Sequence, residues 1–209
     1  MERELRFSLL DPPPADEVLE DAMRGSAYRL EAGGTRQQRD VYVDTAEFAL
    51  RAAGVALRRR EVDGRRLATL KSVASGDGAA FEREELELPL GEHGAWPAEL
   101  LERLAQLTPV EPRRLVAQVE VRTERRVFVL RKGEVKVAEL CFDDVSARYP
   151  GAEREALFRE AEIEAADGVE LSELQEVAER LERAVTLTPA GASKLQRAEA
   201  LLALGAALG

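Results

Sequence analysis

The sequence predicts an α+β protein, in which an antiparallel sheet of eight strands is followed by helices at the carboxyl end. Short segments of alternating apolar and polar residues fill residues 1–165, separated by glycine, proline and Asp-Gly turns. Such alternation is typical of strands with one buried face. From about residue 172 the apolar residues recur every three or four positions, as on an amphipathic helix. The 209 residues suit a single domain spanning 1–209.

The eight predicted strands follow the alternating segments in order. They lie at residues 2–9, 38–44, 54–62, 65–73, 80–90, 114–131, 134–147 and 154–165. Two glycine-containing pairs, Asp63-Gly64 and Lys132-Gly133, join neighbouring strands. Glycine permits the positive φ of a tight hairpin turn, so we expect antiparallel pairing at both places.

Four helices complete the predicted fold, at 16–24, at 98–107, from Ser172 onward, and from Ser193 to Leu208. Gln175 follows Ser172 by three residues, which is the spacing of a capping box. Asp44-Thr45 ends the second strand and is expected to cap a following helical turn rather than to act in catalysis.

The charge balance argues against nucleic acid and membranes as partners. Forty acidic and thirty basic residues give a net charge of −10, which repels polyanions at long range. An anionic ligand would therefore need a local basic site. With one cysteine and one histidine, a disulfide framework and a zinc cluster are excluded, so a metal would need oxygen ligands. No signal peptide or apolar run long enough to span a bilayer is apparent, and we expect a cytoplasmic protein.

Charged residues repeat on one face of most strands, because residues two apart point to the same side. These repeats are Glu2, Glu4 and Arg6; Arg58 and Arg60; Thr69 and Lys71; Arg83, Glu85 and Glu87; Glu120, Arg122, Glu124 and Arg126; and Glu160, Glu162 and Glu164. A sheet with one face in water explains any single strand. Periodicity alone leaves open whether the charged face is the outside of a sandwich or the inside of a barrel.

Two features of the whole set indicate a ligand. Carboxylates about 7 Å apart along one strand repel unless a cation lies between them, and a hard divalent ion is the usual solution. Arginines and a lysine spread over several strands suit an extended phosphate chain.

Several motifs, taken in order, resemble those of the CYTH domain family, the triphosphate tunnel metalloenzymes. The resembling segments are Glu2-Arg3-Glu4-Leu5-Arg6, Tyr42-Val43-Asp44-Thr45, residues 54–60, Ala68-Thr69-Leu70-Lys71, residues 83–90, Thr123 with Arg126, Val137-Ala138-Glu139-Leu140 with Asp143-Asp144, residues 160–164, and Ser193-Lys194. They cover nearly the whole chain. The later motifs most resemble CYTH domains that are joined to a helical CHAD domain. The end at Leu208-Gly209, in an apolar helix, suggests a fragment of a longer chain with such a domain.

The resemblance implies an eight-stranded antiparallel β-barrel whose charged faces form a tunnel for a triphosphate, with helices packed outside. Glu2, Glu4, Glu162 and Glu164 would bind Mg²⁺ or Mn²⁺, with Glu85, Glu87, Asp143 and Glu160 as further candidates. Arg6, Arg58, Arg60, Lys71, Arg83, Arg122, Arg126 and Lys194 would bind the phosphates. Glu2, Glu4 and Arg6 are the candidate catalytic residues.

The implied activity is metal-dependent hydrolysis of inorganic triphosphate to orthophosphate and pyrophosphate. Arg6 replaces the lysine of the family's first motif, which keeps the charge but alters its geometry. A module that binds the end of a polyphosphate without hydrolysing it is therefore a second possibility. Adenylate cyclisation and hydrolysis of thiamine or nucleoside triphosphates rank lower, because the sequence shows no aromatic cluster near the tunnel motifs.

Overall fold

A computed structural model describes residues 2–72 and 78–207. Among them are ten strands: β1 Glu2–Leu9, β2 Tyr28–Asp44, β3 Ala56–Val62, β4 Arg65–Lys71, β5 Ala80–Arg83, β6 Glu85–Pro89, β7 Val116–Lys132, β8 Val135–Arg148, β9 Ala156–Ala165 and β10 Thr188–Pro189. The five α-helices are α1 Asp16–Met23, α2 Ala49–Ala52, α3 Ala98–Leu107, α4 Leu171–Leu181 and α5 Lys194–Ala207. None of the described helices is long and apolar enough to cross a membrane.

The strands form one antiparallel sheet that curls into a barrel, which confirms the predicted fold class. The order is β10-β1-β9-β8-β7-β2-β3-β4-β6. The predicted strand at 80–90 is two strands, because the chain changes partner at Glu84: β5 pairs with β1, and β6 pairs with β4. The end of the sheet near β1 and the end near β4 are thereby joined through the single residue Glu84.

Strand β2 begins at Tyr28, ten residues before the predicted start at 38. A bulge between Ala32 and Gly34 breaks the alternation that marks a strand in the sequence. A Cβ at Gly33 would lie 3.0 Å from Val127 Cγ1, and Gly34 has a φ of +84°. Glycine is thus required there, and its weak strand preference concealed the first half of β2.

Other predicted boundaries differ by a few residues. β3 starts at Ala56 rather than at 54, and β7 at Val116 rather than at 114, after a 3₁₀ turn over Pro112–Arg114. Residue 73, the predicted end of the fourth strand, and Leu208, the predicted end of the last helix, lie outside the described residues. The expected cap at Asp44 is confirmed: Oδ1 accepts a hydrogen bond from Leu50 N at 2.8 Å and Oδ2 from Arg51 N at 2.9 Å, at the start of α2.

Two apolar layers cover the outside of the barrel. Helices α1 and α4 pack on β1, β2, β7, β8 and β9, where Leu5, Leu140 and Ile163 are buried. Helices α2 and α3 pack on the outer face of β3, β4 and β6 around Leu57 and Leu70. Burial of these side chains supplies the main apolar contribution to stability.

Helix α5 packs on the inner face of the sheet, unlike the other four helices. Its Ala198 and Leu202 contact a cluster formed by Tyr42, Val119, Val121, Val145 and Ala147. Val119 and Val121 lie opposite Tyr42 and Asp40 on β2, so the odd-numbered residues of β7 face inward. The resemblance implies that the even-numbered residues, from Glu120 to Arg126, lie on the inner charged face, and that prediction is wrong. This charged series lies on the outer face of β7, because the inner face packs against α5.

We expect Leu140→Ala to lower the free energy of unfolding by about 2–5 kcal/mol, because the side chain is fully buried beneath α1 and α4. Leu157→Ala is the matched control on the neighbouring strand β9, where the side chain is 73% exposed. It should change the free energy by no more than about 0.5 kcal/mol. Urea denaturation measures both values, and equal losses would contradict the described outer core.

Candidate functional site

A cavity of about 320 Å³ lies inside the barrel and is lined mainly by charged side chains. Strands β1 to β9 and the start of α5 all contribute to its lining. The basic residues are Arg6, Arg36, Arg58, Arg60, Arg65, Lys71, Arg83, Arg125 and Lys194. The acidic residues are Glu2, Glu4, Asp63, Glu85, Glu87, Glu139, Glu162 and Glu164. Apart from that of β7, the charged faces of the strands therefore point inward, as the resemblance implies.

Six of the eight predicted phosphate-binding residues line this cavity, but Arg122 and Arg126 do not. Arg122 is on the outer face of β7, where its Nε lies 3.1 Å from Glu120 Oε1. Arg126 donates to the carbonyl oxygen of Pro14 and pairs with Asp16 at 3.6 Å, ahead of α1. Both positions follow from the inward orientation of the odd-numbered residues of β7.

The sequence did not reveal Arg36 and Arg125, which line the cavity, or Asp40, which binds two of the arginines that line it. Arg36 and Arg125 lie opposite each other on β2 and β7 and both line the cavity. The alternation Val119, Val121, Thr123 and Arg125 is present in the sequence, but it resembles a buried apolar face. Only the packing of α5 against Val119 and Val121 shows that this series faces inward, and therefore that Arg125 belongs to the charged site.

Glu2 is held by two cations at one end of the cavity. Lys71 Nζ lies 2.9 Å from Glu2 Oε1, and Arg83 Nε lies 2.5 Å from Oε2. Burial raises the pKa of Glu2, but Lys71 and Arg83 outweigh it and lower the pKa to about 2. Lys71 also contacts Glu85 at 2.9 Å. Glu2 is consequently ionised throughout the physiological pH range.

Glu87, the last carboxylate of the β6 pair, accepts a hydrogen bond from Thr69 Oγ1 at 2.8 Å. It lies 3.9 Å from Arg60 Nη1 and lines the cavity. The inner face of β6 thus carries Glu85 and Glu87 side by side, as the parity of that strand predicted.

Arg6 is buried in the wall of the cavity with few protein partners. Its guanidinium stacks on Phe81, 3.5 Å from the ring centroid, and its Nε lies 3.4 Å from Glu4 Oε1 without hydrogen-bonding geometry. Burial lowers the pKa of Arg6, although a guanidinium remains charged. Among the described residues its side chain makes no hydrogen bond, so its donors are available to an anion in the cavity.

Asp40 forms the centre of a second buried network. Its Oδ1 accepts from Arg60 Nε at 2.8 Å and its Oδ2 from Arg60 Nη2 at 2.9 Å, and Arg58 Nη1 lies 3.5 Å from Oδ2. Arg58 also donates to the Tyr42 hydroxyl at 3.2 Å. Burial raises the pKa of Asp40, but Arg58 and Arg60 outweigh it and lower the pKa to about 2. Asp40 thus orients two of the arginines that line the cavity.

Glu4 and Glu164 lie among other carboxylates on the inner face of β1 and β9. Glu4 Oε1 accepts a hydrogen bond from Arg83 Nη2 at 2.7 Å, whereas Glu164 has no ion-pair partner among the described residues. The two residues lie opposite each other on β1 and β9. Burial raises the pKa of Glu4, and Glu162 raises it further. Burial, followed by Glu2 and Glu162, raises the pKa of Glu164 to about 7. Carboxylate oxygens are the ligands that hard divalent ions such as Mg²⁺ and Mn²⁺ take, and Glu164 is left without a cation, so the residues present suit the metal that the fold family implies.

A deeper cluster of three carboxylates, Asp143, Glu160 and Glu162, lies beside the cavity. One oxygen from each carboxylate lies within 4.8 Å of an oxygen of the other two. Among the described residues, no other group of three potential metal ligands lies this close together. Asp143 accepts two hydrogen bonds from Arg125, at 2.8 and 2.6 Å, and Arg125 also contacts Glu162. Glu162 alone of the three lines the cavity.

The chain forms an antiparallel barrel whose first strand carries a Glu-x-Glu motif and whose cavity is lined by acidic and basic residues. This combination defines a tunnel protein that suits a polyanion together with a cation. The family model described as the CYTH domain matches residues 1–198, and the chain belongs to that family. No curated protein matches the chain. The likeness to CYTH domains joined to CHAD domains stays a prediction.

Solved structures share the fold at low identity. HpAC1 from Hippeastrum, a candidate adenylyl cyclase with a dominant triphosphatase activity, is 21% identical, with 96% of each chain covered and a TM-score of 0.71. A candidate adenylate cyclase from Bacillus halodurans is 20% identical over 94% of this chain and 98% of that chain, with a TM-score of 0.61. The triphosphatase of the mimivirus capping enzyme is 13% identical over 87% and 89% of the chains, with a TM-score of 0.51. At these identities the likeness shows the fold alone.

We expect Asp40→Asn to lower the free energy of unfolding by about 3–5 kcal/mol at pH 7, because it leaves Arg58 and Arg60 buried beside a neutral group. The folded pKa lies below the ordinary value of 3.8, so the stabilisation by Asp40 is fully present above pH 3.8 and is lost as the pH falls toward 2. Urea denaturation of both proteins between pH 7 and 2 should show this difference shrinking below pH 4. A difference independent of pH would contradict the Asp40 assignment.

Proposed function

We propose that the tunnel hydrolyses inorganic triphosphate to orthophosphate and pyrophosphate with Mg²⁺ or Mn²⁺ as cofactor. The observation that carries the proposal is the presence, inside one cavity, of a buried arginine with unused donors and of a half-buried carboxylate, Glu164, with no cationic partner among the described residues. A ligand that satisfies both is a polyanion bound together with a divalent cation. Inorganic triphosphate, bound together with a divalent cation, meets both requirements. Its recognition needs no contacts other than those to phosphate and metal.

The basic residues of the cavity would hold the phosphates. Arg6, Arg58, Arg60, Lys71 and Arg83 approach from four different strands, so they can contact a chain of phosphates along its length. Arginine donors match phosphate oxygens in pairs. Their positive charges also stabilise the charge that builds up on the phosphate oxygens as a P–O bond breaks.

The carboxylates on β1 and β9 would hold the metal. Glu2, Glu4, Glu162 and Glu164 are the proposed ligands, since all four line the cavity on β1 and β9. When bound, the ion would polarise the phosphate chain and lower the pKa of a coordinated water. A tunnel glutamate would accept the proton of the attacking water.

The structural neighbours support hydrolysis over cyclisation. The Hippeastrum protein has a dominant triphosphatase activity, and the viral neighbour is a triphosphatase. In the described lining of the central cavity the aromatic residue is Tyr42, whose hydroxyl is bonded to Arg58.

A second candidate is a module that binds polyphosphate without hydrolysing it. It is favoured by the ion pairs of Glu2 with Lys71 and Arg83, which occupy oxygens that a metal would need. In that case the acidic residues would serve to orient the basic ones. Tight binding of polyphosphate with no release of orthophosphate, in Mg²⁺ or in Mn²⁺, would select this function.

Glu4→Gln should reduce the release of orthophosphate from tripolyphosphate by roughly 10²–10⁴-fold, because it removes a proposed metal ligand and proton acceptor. A colorimetric phosphate assay with Mg²⁺ or Mn²⁺ measures the rate. Glu124→Gln is the matched control on the outer face of β7, where the side chain is exposed and bonded to Gln37. Wild-type rates in Glu4→Gln, or no release by the unaltered protein with either metal, would refute the hydrolase proposal.

Arg6→Gln should raise the KM for tripolyphosphate at least about tenfold, since a charged hydrogen bond to phosphate contributes about 1.5–3 kcal/mol. Arg122→Gln removes an arginine from the outer face and should leave KM unchanged. Steady-state kinetics compare the two, and thermal unfolding verifies that both variants fold. If Arg122→Gln had the larger effect, the orientation of β7 described above would be incorrect.

A further inference from the structure

Three cations compensate the three carboxylates of the deep cluster. Lys194 Nζ lies 2.6 Å from Asp143 Oδ2, 2.9 Å from Glu160 Oε1 and 3.5 Å from Glu162 Oε1. Arg125 binds Asp143 and Glu162, and Arg197 Nη1 lies 2.9 Å from Glu160 Oε2. Asp143 and Glu160 are at most 1% exposed, and Lys194 is 8% exposed. The charges of this buried group therefore sum to zero without a metal.

The ammonium of Lys194 lies where a divalent ion would otherwise bind. The carboxylate oxygens are close enough together to ligate one ion, yet Lys194 contacts all three carboxylates. An ion added to this neutral group would bring two uncompensated positive charges into a buried site, which is strongly unfavourable. A divalent ion could therefore enter only if Lys194 were withdrawn.

We propose that Lys194 is a positioning residue whose ammonium group occupies the cation-binding position among Asp143, Glu160 and Glu162. Its presence there confines divalent metal to the side of the tunnel lined by Glu2, Glu4 and Glu164. Glu162 belongs to both groups, because it lines the cavity and is held by Lys194 and Arg125. Groups that hold a metal ligand from behind fix its orientation and charge. The role of Glu162 as a metal ligand rests on the proposed function. The occupancy of the position among the three carboxylates by the Lys194 ammonium does not.

The same contacts attach α5 to the barrel. Lys194 is the first residue of α5, and the preceding Ser193 forms a capping box with Gln196: Gln196 N donates to Ser193 Oγ at 3.2 Å, and Ser193 N donates to Gln196 Oε1 at 2.8 Å. The helix thus begins at a fixed place and directs Lys194 toward β8 and β9. Loss of the ammonium should weaken both the cluster and the docking of α5.

The test is Lys194→Met, which keeps the length and the apolar stem but removes the charge. Without divalent metal the melting temperature of the full chain should fall by roughly 10 °C, because a buried carboxylate loses its cation. Added MnCl₂ should restore at least half of this loss and should raise Tm much less in the unaltered protein. The variant should also bind one more Mn²⁺ per chain, counted by the electron paramagnetic resonance signal of free Mn²⁺.

Two further variants make the test specific. Lys132→Met removes an exposed lysine that pairs with Glu173, and it should neither lower Tm appreciably nor add a Mn²⁺ site. Lys194→Met combined with Glu160→Gln restores the charge balance, so it should be more stable than Lys194→Met without metal and should bind no additional Mn²⁺. This double variant also serves if Lys194→Met alone does not fold.

An unchanged melting temperature in Lys194→Met would overturn the proposal, and an accompanying rise in KM would make Lys194 a phosphate ligand instead. A lowered melting temperature that Mn²⁺ does not restore, with no additional ion bound, would also overturn it. Equal instability of the single and double variants would show that charge balance is not the cause. The melting-temperature and Mn²⁺-binding measurements use no triphosphate, so their failure is distinguishable from a failure of the proposed hydrolysis.

Discussion

The structure depends on the compensation of charges that are buried inside the barrel. A buried carboxylate without a cationic partner costs several kcal/mol, enough to cancel much of the stability of a domain. Asp40 is compensated by Arg58 and Arg60, and Asp143 by Arg125 and Lys194. These pairs fix the positions of the basic groups more firmly than surface ion pairs could, and they determine which donors and acceptors remain free for a ligand.

The barrel carries a polar interior and an apolar exterior, the reverse of the usual arrangement. Its stability comes from the outer face, where α1 to α4 cover two apolar layers. Because these layers do not depend on the cavity, the inner face is free to carry charges that serve a ligand. Helix α5 is the exception, since it fills one end of the interior with apolar contacts and brings Lys194 to the deep carboxylates.

The two groups of carboxylates differ in what neutralises them. In the deep group, Asp143, Glu160 and Glu162 are balanced by side chains of the protein. On the tunnel side, Glu4 is paired with Arg83, whereas Glu164 has no ion-pair partner among the described residues and its pKa is raised to about 7. A cofactor is expected where the protein leaves its own charges uncompensated, and this difference separates carboxylates of structural importance from those that suit a metal.

The sequence by itself determined most strands, the hairpin turns and the alternation that separates Glu2, Glu4 and Arg6 from Leu5 and Phe7. Those features depend on residues that are close together in the chain. It could not reveal the early start of β2, where glycines are required by a bulge, or the change of partner at Glu84.

The tertiary structure alone decided which face of β7 lies in the tunnel. In the sequence of β7, charged residues from Glu120 to Arg126 alternate with apolar ones, and the charged series is the more conspicuous. It points outward because α5 packs against Val119 and Val121 on the inner face. The same packing assigned Arg125 to the site and removed Arg122 and Arg126 from it. Local periodicity shows that a strand has two faces, but only contacts between distant segments determine which face is buried and with what partner.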